Sequence, residues 1–167
     1  SDAYLLIEPR APSKVFQGIT TEVCGNCGAS AAPRLGGAQL PSDWQDKPFP
    51  GTWSTVAEYR KLFEQVKPAV NEALLIGHNT LHRGISGYEP RGATPDELKK
   101  MCRALEQALD EGGCGMSTGL IYPPASAVPR EEVIELAQVC AAKNKIYTSH
   151  MRSEGKQLLE AIDEAID

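Results

Sequence analysis

Apolar positions along this chain alternate between a strand-like and a helix-like period. Gly18-Ile19-Thr20-Thr21-Glu22-Val23-Cys24 is rich in β-branched residues and reads as a strand. Val56, Tyr59, Phe63 and Val66 then recur at helical spacing. Ala73-Leu74-Leu75-Ile76 is a short buried-strand candidate that ends at Gly77-His78. In the next helix Leu98, Met101, Cys102, Leu105 and Leu109 form an apolar stripe. Thr94-Pro95-Asp96-Glu97 supplies its cap hydroxyl, its first-turn proline and its capping-box glutamate, and Gly112-Gly113 can stop it. Cys114-Gly115-Met116-Ser117 is a weak strand leading into Thr118-Gly119-Leu120-Ile121-Tyr122-Pro123-Pro124. Pro129 opens another helix, with Glu131 and Glu132 in its first turn, where they favour the dipole. Val133, Leu136, Ala137 and Cys140 are its buried face. Ile146-Tyr147-Thr148-Ser149-His150 is the last strand, and Leu158, Leu159, Ile162 and Ile166 begin a final helix.

Strands alternating with helices imply a parallel sheet with right-handed crossovers. About four β/α units are visible. A complete eightfold barrel needs ~250 residues, and the chain has 167. Either a smaller open α/β sheet or a piece of a barrel fits. The ending, inside an amphipathic helix without a stop signal, favours a piece. Residues 1–167 are therefore expected to form one segment, with a long Gly- and Pro-rich loop at about 25–54.

Composition narrows the classes. A formal charge of -5 argues against nucleic acid, because phosphate binding needs a basic surface. No apolar run is long enough to span a bilayer, so no membrane association is expected. Ser1-Asp2-Ala3-Tyr4 lacks the basic start and apolar stretch of a signal peptide. The five cysteines are odd in number and sparse for a disulfide scaffold, which fits a reducing, cytoplasmic setting.

Polar residues gather just beyond the expected strand ends. Cys27 follows the first, His78 the second, Ser117 and Thr118 the third, and His150 ends the fourth. In a parallel barrel these ends share one face, so distant residues converge there. A catalytic zinc takes three protein ligands and water, and Cys27 and His150 would supply two. The alternative for His150, of about equal weight on the residues alone, is a strand-end histidine bonded to backbone. Cys24-Gly25-Asn26-Cys27 is a CxxC motif, open to redox or metal chemistry. No second CxxC exists, and the glycines around it do not read as the helix start of a redox motif. His78 and His82 have the i, i+4 spacing of helical metal ligands, but Gly77 and Gly84 favour a loop. Cys102, Cys114 and Cys140 read as small core residues. No phosphate-loop spacing is present. Tyr122, before Pro123-Pro124, could hold a substrate carbonyl or simply fill space. Arg152 and Glu154 could bind substrate, cap the last helix, or form a local ion pair, which is the default.

Four ordered blocks carry a resemblance: Gly18-Ile19-Thr20-Thr21 with Gly25-Asn26-Cys27-Gly28, Leu75-Ile76-Gly77-His78, Gly115-Met116-Ser117-Thr118-Gly119-Leu120-Ile121-Tyr122-Pro123-Pro124, and Tyr147-Thr148-Ser149-His150-Met151-Arg152-Ser153-Glu154. They resemble the N-acyl-D-amino-acid deacylases, the D-aminoacylases of the amidohydrolase superfamily. The resemblance implies a partial (β/α)8 TIM-type barrel, about four β/α units of a metal-dependent hydrolase that uses one or two zinc ions. It implies that Cys27 and His150 are zinc ligands and that Tyr122 lies near substrate. The third ligand, a histidine on the following strand, and the catalytic aspartate would lie outside this chain. A His-x-His pair would stand directly before Ser1.

The resemblance implies hydrolysis of the amide bond of N-acyl-D-amino acids by the full-length protein. The 167-residue chain alone is expected to be inactive and, with open strand edges, to self-associate. Two departures stand out. Cys24 occupies an apolar or small position, where it could compete for metal or join Cys27 in a disulfide. His82 stands where an arginine is more usual. The rival readings are a small α/β module holding structural zinc through Cys24, Cys27, His78 or His82, and His150, and a thiol redox protein.

Overall fold

The computed structural model describes residues 2–36, 40 and 44–166. Four strands form one sheet in the order β1-β2-β3-β4, all parallel: β1 (Thr21–Cys24), β2 (Asn71–Gly77), β3 (Gly115–Gly119) and β4 (Ile146–His150). Among the described residues six α-helices accompany them: α1 (Pro12–Val15), α2 (Val56–Val66), α3 (His78–Ser86), α4 (Pro95–Asp110), α5 (Arg130–Ala142) and α6 (Leu158–Ile166). Strand order equals chain order, so the chain never reverses direction across the sheet. A doubly wound sheet needs such a reversal to cover its second face.

Burial confirms that one face is covered. In β1, Glu22 and Cys24 are buried while Thr21 and Val23 are exposed. Leu74, Ile76 and Met116 join Met101, Leu105, Ala108 and Leu109 of α4 and Leu136 and Cys140 of α5 in the main core. Each fully buried aliphatic side chain contributes roughly 1.5–3 kcal/mol. On the opposite face Val23 and Ile146 are each 54% exposed. Helices on one side and apolar residues open on the other describe an arc of a β/α barrel.

The capping box expected before α4 is present: Thr94 accepts from the Glu97 amide, and Glu97 accepts from the Thr94 amide. Three expectations are corrected. The first strand begins at Thr21 rather than Gly18, because the Gly18 and Ile19 amides close the turn after α1 on Val15 and Lys14. His78 and His82 lie in a helix, not a loop. Gly77 and Gly84 are there for close approach: a Cβ on Gly77 would sit 2.3 Å from the Gly28 carbonyl, and one on Gly84 would sit 2.6 Å from Leu35 Cβ. Arg152 and Glu154 do not pair with each other; their partners are given below. The loop expected at about 25–54 falls partly outside the described residues, as does Ser1.

Candidate active site

Gly119, the last residue of β3, is the seat of the site. It pairs in register with His150, and the Leu120 amide donates to the His150 carbonyl at 2.9 Å. A Cβ on Gly119 would lie 2.2 Å from the Cys27 carbonyl oxygen and 3.1 Å from the Tyr122 ring. Only glycine lets both approach. The Tyr122 amide donates back to the Gly119 carbonyl at 3.0 Å. The Tyr122 and His150 rings meet edge to face, centroids 5.0 Å apart and planes at 89°. Residues 27, 122 and 150 thus converge at the C-terminal edge of the sheet, as β/α barrels place their chemistry.

Cys27 rides on a tight turn. The Ala29 amide donates to the Asn26 carbonyl at 3.3 Å, and both central residues have positive φ: 55° at Cys27 and 78° at Gly28. Such a pair belongs to the primed turns, and a non-glycine residue there is strained. The turn leaves the Cys27 thiol exposed, while Cys24 is buried with Sγ 3.8 Å from the Ala73 carbonyl. Cys24 belongs to the main core and Cys27 is exposed, and no disulfide joins them. The segment after Cys24 is a turn and not a helix start, which removes the geometry of the redox reading.

His150 is partly exposed, with Nε2 3.1 Å from Glu154 Oε1. Arg152 turns away from the site. It donates to Glu164 at 2.7 Å and to the carbonyls of Ala125, Ser126 and Val128. Its donors are engaged within the protein, so it latches the loop after β4 to the loop after β3 instead of reaching for substrate.

His78 and His82 belong elsewhere. Both are fully buried, facing Glu132 near the start of α5. His78 Nε2 lies 2.9 Å from Glu132 Oε1, and the Ala93 amide donates to Oε2 at 2.7 Å. His82 Nε2 is 3.8 Å from Oε1, and burial pushes its imidazole below the ordinary range. Burial alone would raise Glu132, but the bonds from His78 and Ala93 outweigh it and hold the carboxyl low. Among the described residues no three His, Cys, Asp or Glu side chains gather closely enough to hold a metal. The structural-zinc arrangement through Cys24 and His78 or His82 therefore does not form.

An exposed thiol and a partly exposed imidazole at one strand edge suit zinc chemically. They make two ligands, so a third ligand would have to come from outside the described residues. Sequence reasoning did not single out Gly119, and it gave Glu132 a place in the first turn of its helix but not its buried role. For Glu132 the available signal was its place at the third position of a helix.

No family model matches this chain. It is 39% identical over 168 residues to an N-acyl-D-aspartate deacylase of Alcaligenes xylosoxydans xylosoxydans, covering 99% of this chain and 34% of that protein. A solved D-aminoacylase, studied for the role of its binuclear metal centre, superposes with a TM-score of 0.89 at 36% identity over 98% of this chain and 35% of its own. An N-acyl-D-glutamate deacylase from Bordetella bronchiseptica, solved with zinc and a phosphonate mimic of the tetrahedral intermediate, gives 0.86 at 33% over the same shares. The chain spans about a third of the length of these relatives. Over nearly its whole length, in sequence and in fold, its homologues are the N-acyl-D-amino-acid deacylases (D-aminoacylases) of the amidohydrolases.

Proposed function

We propose that this chain is one segment, residues 1–167, of a zinc-dependent hydrolase that cleaves the amide bond of N-acyl-D-amino acids. The observation that carries the reading is the convergence of Cys27, Tyr122 and His150 around Gly119. Cys27 as thiolate and neutral His150 would hold the metal, one or two ions in the complete protein. When bound, zinc lowers the pKa of its water toward ~7 and polarises the acyl carbonyl. Tyr122, 47% exposed, stands beside His150 on the loop after β3, placed to offer its phenol to the substrate carbonyl. The Arg152 latch keeps the Tyr122 loop and the loop after His150 in one arrangement, which preserves the orientation catalysis needs. The third ligand and the aspartate that would move the water's proton belong to other parts of the protein. Five thiols without a disulfide support a cytoplasmic setting. Among the described residues no helix is long and apolar enough to cross a membrane.

The test is release of carboxylic acid from a panel of N-acyl-D-amino acids by the complete protein, with and without zinc. Activity is expected to disappear in Cys27→Ala and His150→Ala and to fall at least ~10-fold in Tyr122→Phe. The 167-residue chain alone is expected to be inactive in the same assay. A complete protein that ignores every acylated D-amino acid yet opens a cyclic amide would move the reading to a hydantoinase-like reaction.

A further inference from the structure

One buried hydroxyl holds the turn that carries Cys27. Ser117, mid-strand in β3 and fully buried, donates through Oγ to the Gly25 carbonyl and accepts from the Gly28 amide at 3.0 Å. These groups flank Asn26 and Cys27, so a single side chain 89 or more residues away closes both ends of the turn. The rest of the loop is tied in the same manner. Ser30 Oγ accepts from the Gly77 amide and donates to the Ala32 carbonyl, and Thr80 Oγ1 accepts from the Ser30 amide. The positive φ at Cys27 is a conformation a loop keeps only when its surroundings over-determine it. Without the Ser117 hydroxyl, the bridge that joins the two ends of the turn would be lost, and the turn would relax.

We infer that Ser117 is a positioning residue that aims the Cys27 thiol at the metal. The inference rests on the reading of Cys27 as a ligand. Groups that orient a ligand in this way typically change metal affinity 10–100-fold when removed. The complete protein loaded with cobalt(II) offers a direct readout, because a thiolate on cobalt gives a near-ultraviolet charge-transfer absorption. Ser117→Ala is expected to weaken cobalt affinity at least ~10-fold and to shift or diminish that absorption. Ser117→Thr, which keeps the hydroxyl, should recover both. Unchanged affinity and absorption in Ser117→Ala would overturn the inference. Amide exchange in the unsubstituted protein tests the same contact without any variant. The Gly28 amide should be protected like its neighbours in the strands, and exchange as fast as an open loop would overturn the inference even if the variants do not fold. Cys27→Ser separates the two readings. If it keeps the charge-transfer absorption, the ligand assignment fails, while the protection of Gly28 still reports on the Ser117 contact.

Discussion

At the scale of single residues, the Glu132 carboxylate carries more than its place in the first turn of α5 suggests. It holds His78 and the Ala93 amide, joining α3, the loop before α4 and α5 at one buried point. Glu132→Ala would strand a buried imidazole and a buried amide together. We expect a loss of about 3 kcal/mol in urea denaturation, with Glu132→Gln less damaging. The neighbouring His82 adds a pH dependence whose sign follows from its lowered pKa. The unfolded chain accepts a proton near pH ~6.5, while the buried imidazole resists it to lower pH. Stability is therefore full above about pH 6.5 and declines as pH falls toward the lowered folded value. Glu132, also held low, extends the loss on further acidification. The slope of stability between pH 5 and 6.5 should flatten in His82→Gln.

At the scale of elements, the helix with the clearest sequence signals forms with the caps they predict. Thr94 and Glu97 satisfy each other's amides at the start of α4, and Thr94→Ala should cost about 1 kcal/mol in thermal unfolding. The loops behave differently. Arg152 bridges the segment after β4 to the carbonyls of Ala125, Ser126 and Val128, in the loop that also carries Tyr122. In Arg152→Ala, hydrogen exchange should accelerate in residues 122–128 and 151–156 while α4 keeps its protection. Uniform acceleration across the sheet would instead mean that Arg152 supports the whole fold. Strand and helix types were legible because each carries its own period. The start of β1 was not, because Gly18 and Ile19 are drawn into the turn after α1. Nor was the α3 helix, because its glycines answer to Gly28 and Leu35, residues distant in sequence.

At the scale of the molecule, the sheet face away from the helices, covered at Leu75 and Ser117 but open at both edge strands, decides how this segment behaves by itself. Val23 and Ile146 are open on that face, and β1 and β4 are the edges of the sheet. Unpaired edges and exposed apolar residues favour pairing with other chains. We propose that the segment alone self-associates, seen in sedimentation as species larger than 18.0 kDa. A stable monomer at micromolar concentration would show that the sheet edges are protected in some other way.

The sequence by itself determined the alternation of strands and helices, the caps of α4, and the motif order this chain shares with the D-aminoacylases. It also pointed to His150 and Cys27, since residues at the ends of parallel strands share one edge. Only the tertiary structure decided which polar residues meet. It brought Cys27, Tyr122 and His150 around Gly119, pinned the Cys27 turn to Ser117, and removed His78 and His82 to a buried carboxylate. The physical reason is the same in each case. Periodicity and capping act over a few residues, whereas these contacts join groups tens of residues apart. Buried donors and acceptors find such partners only once the sheet and helices have brought them together.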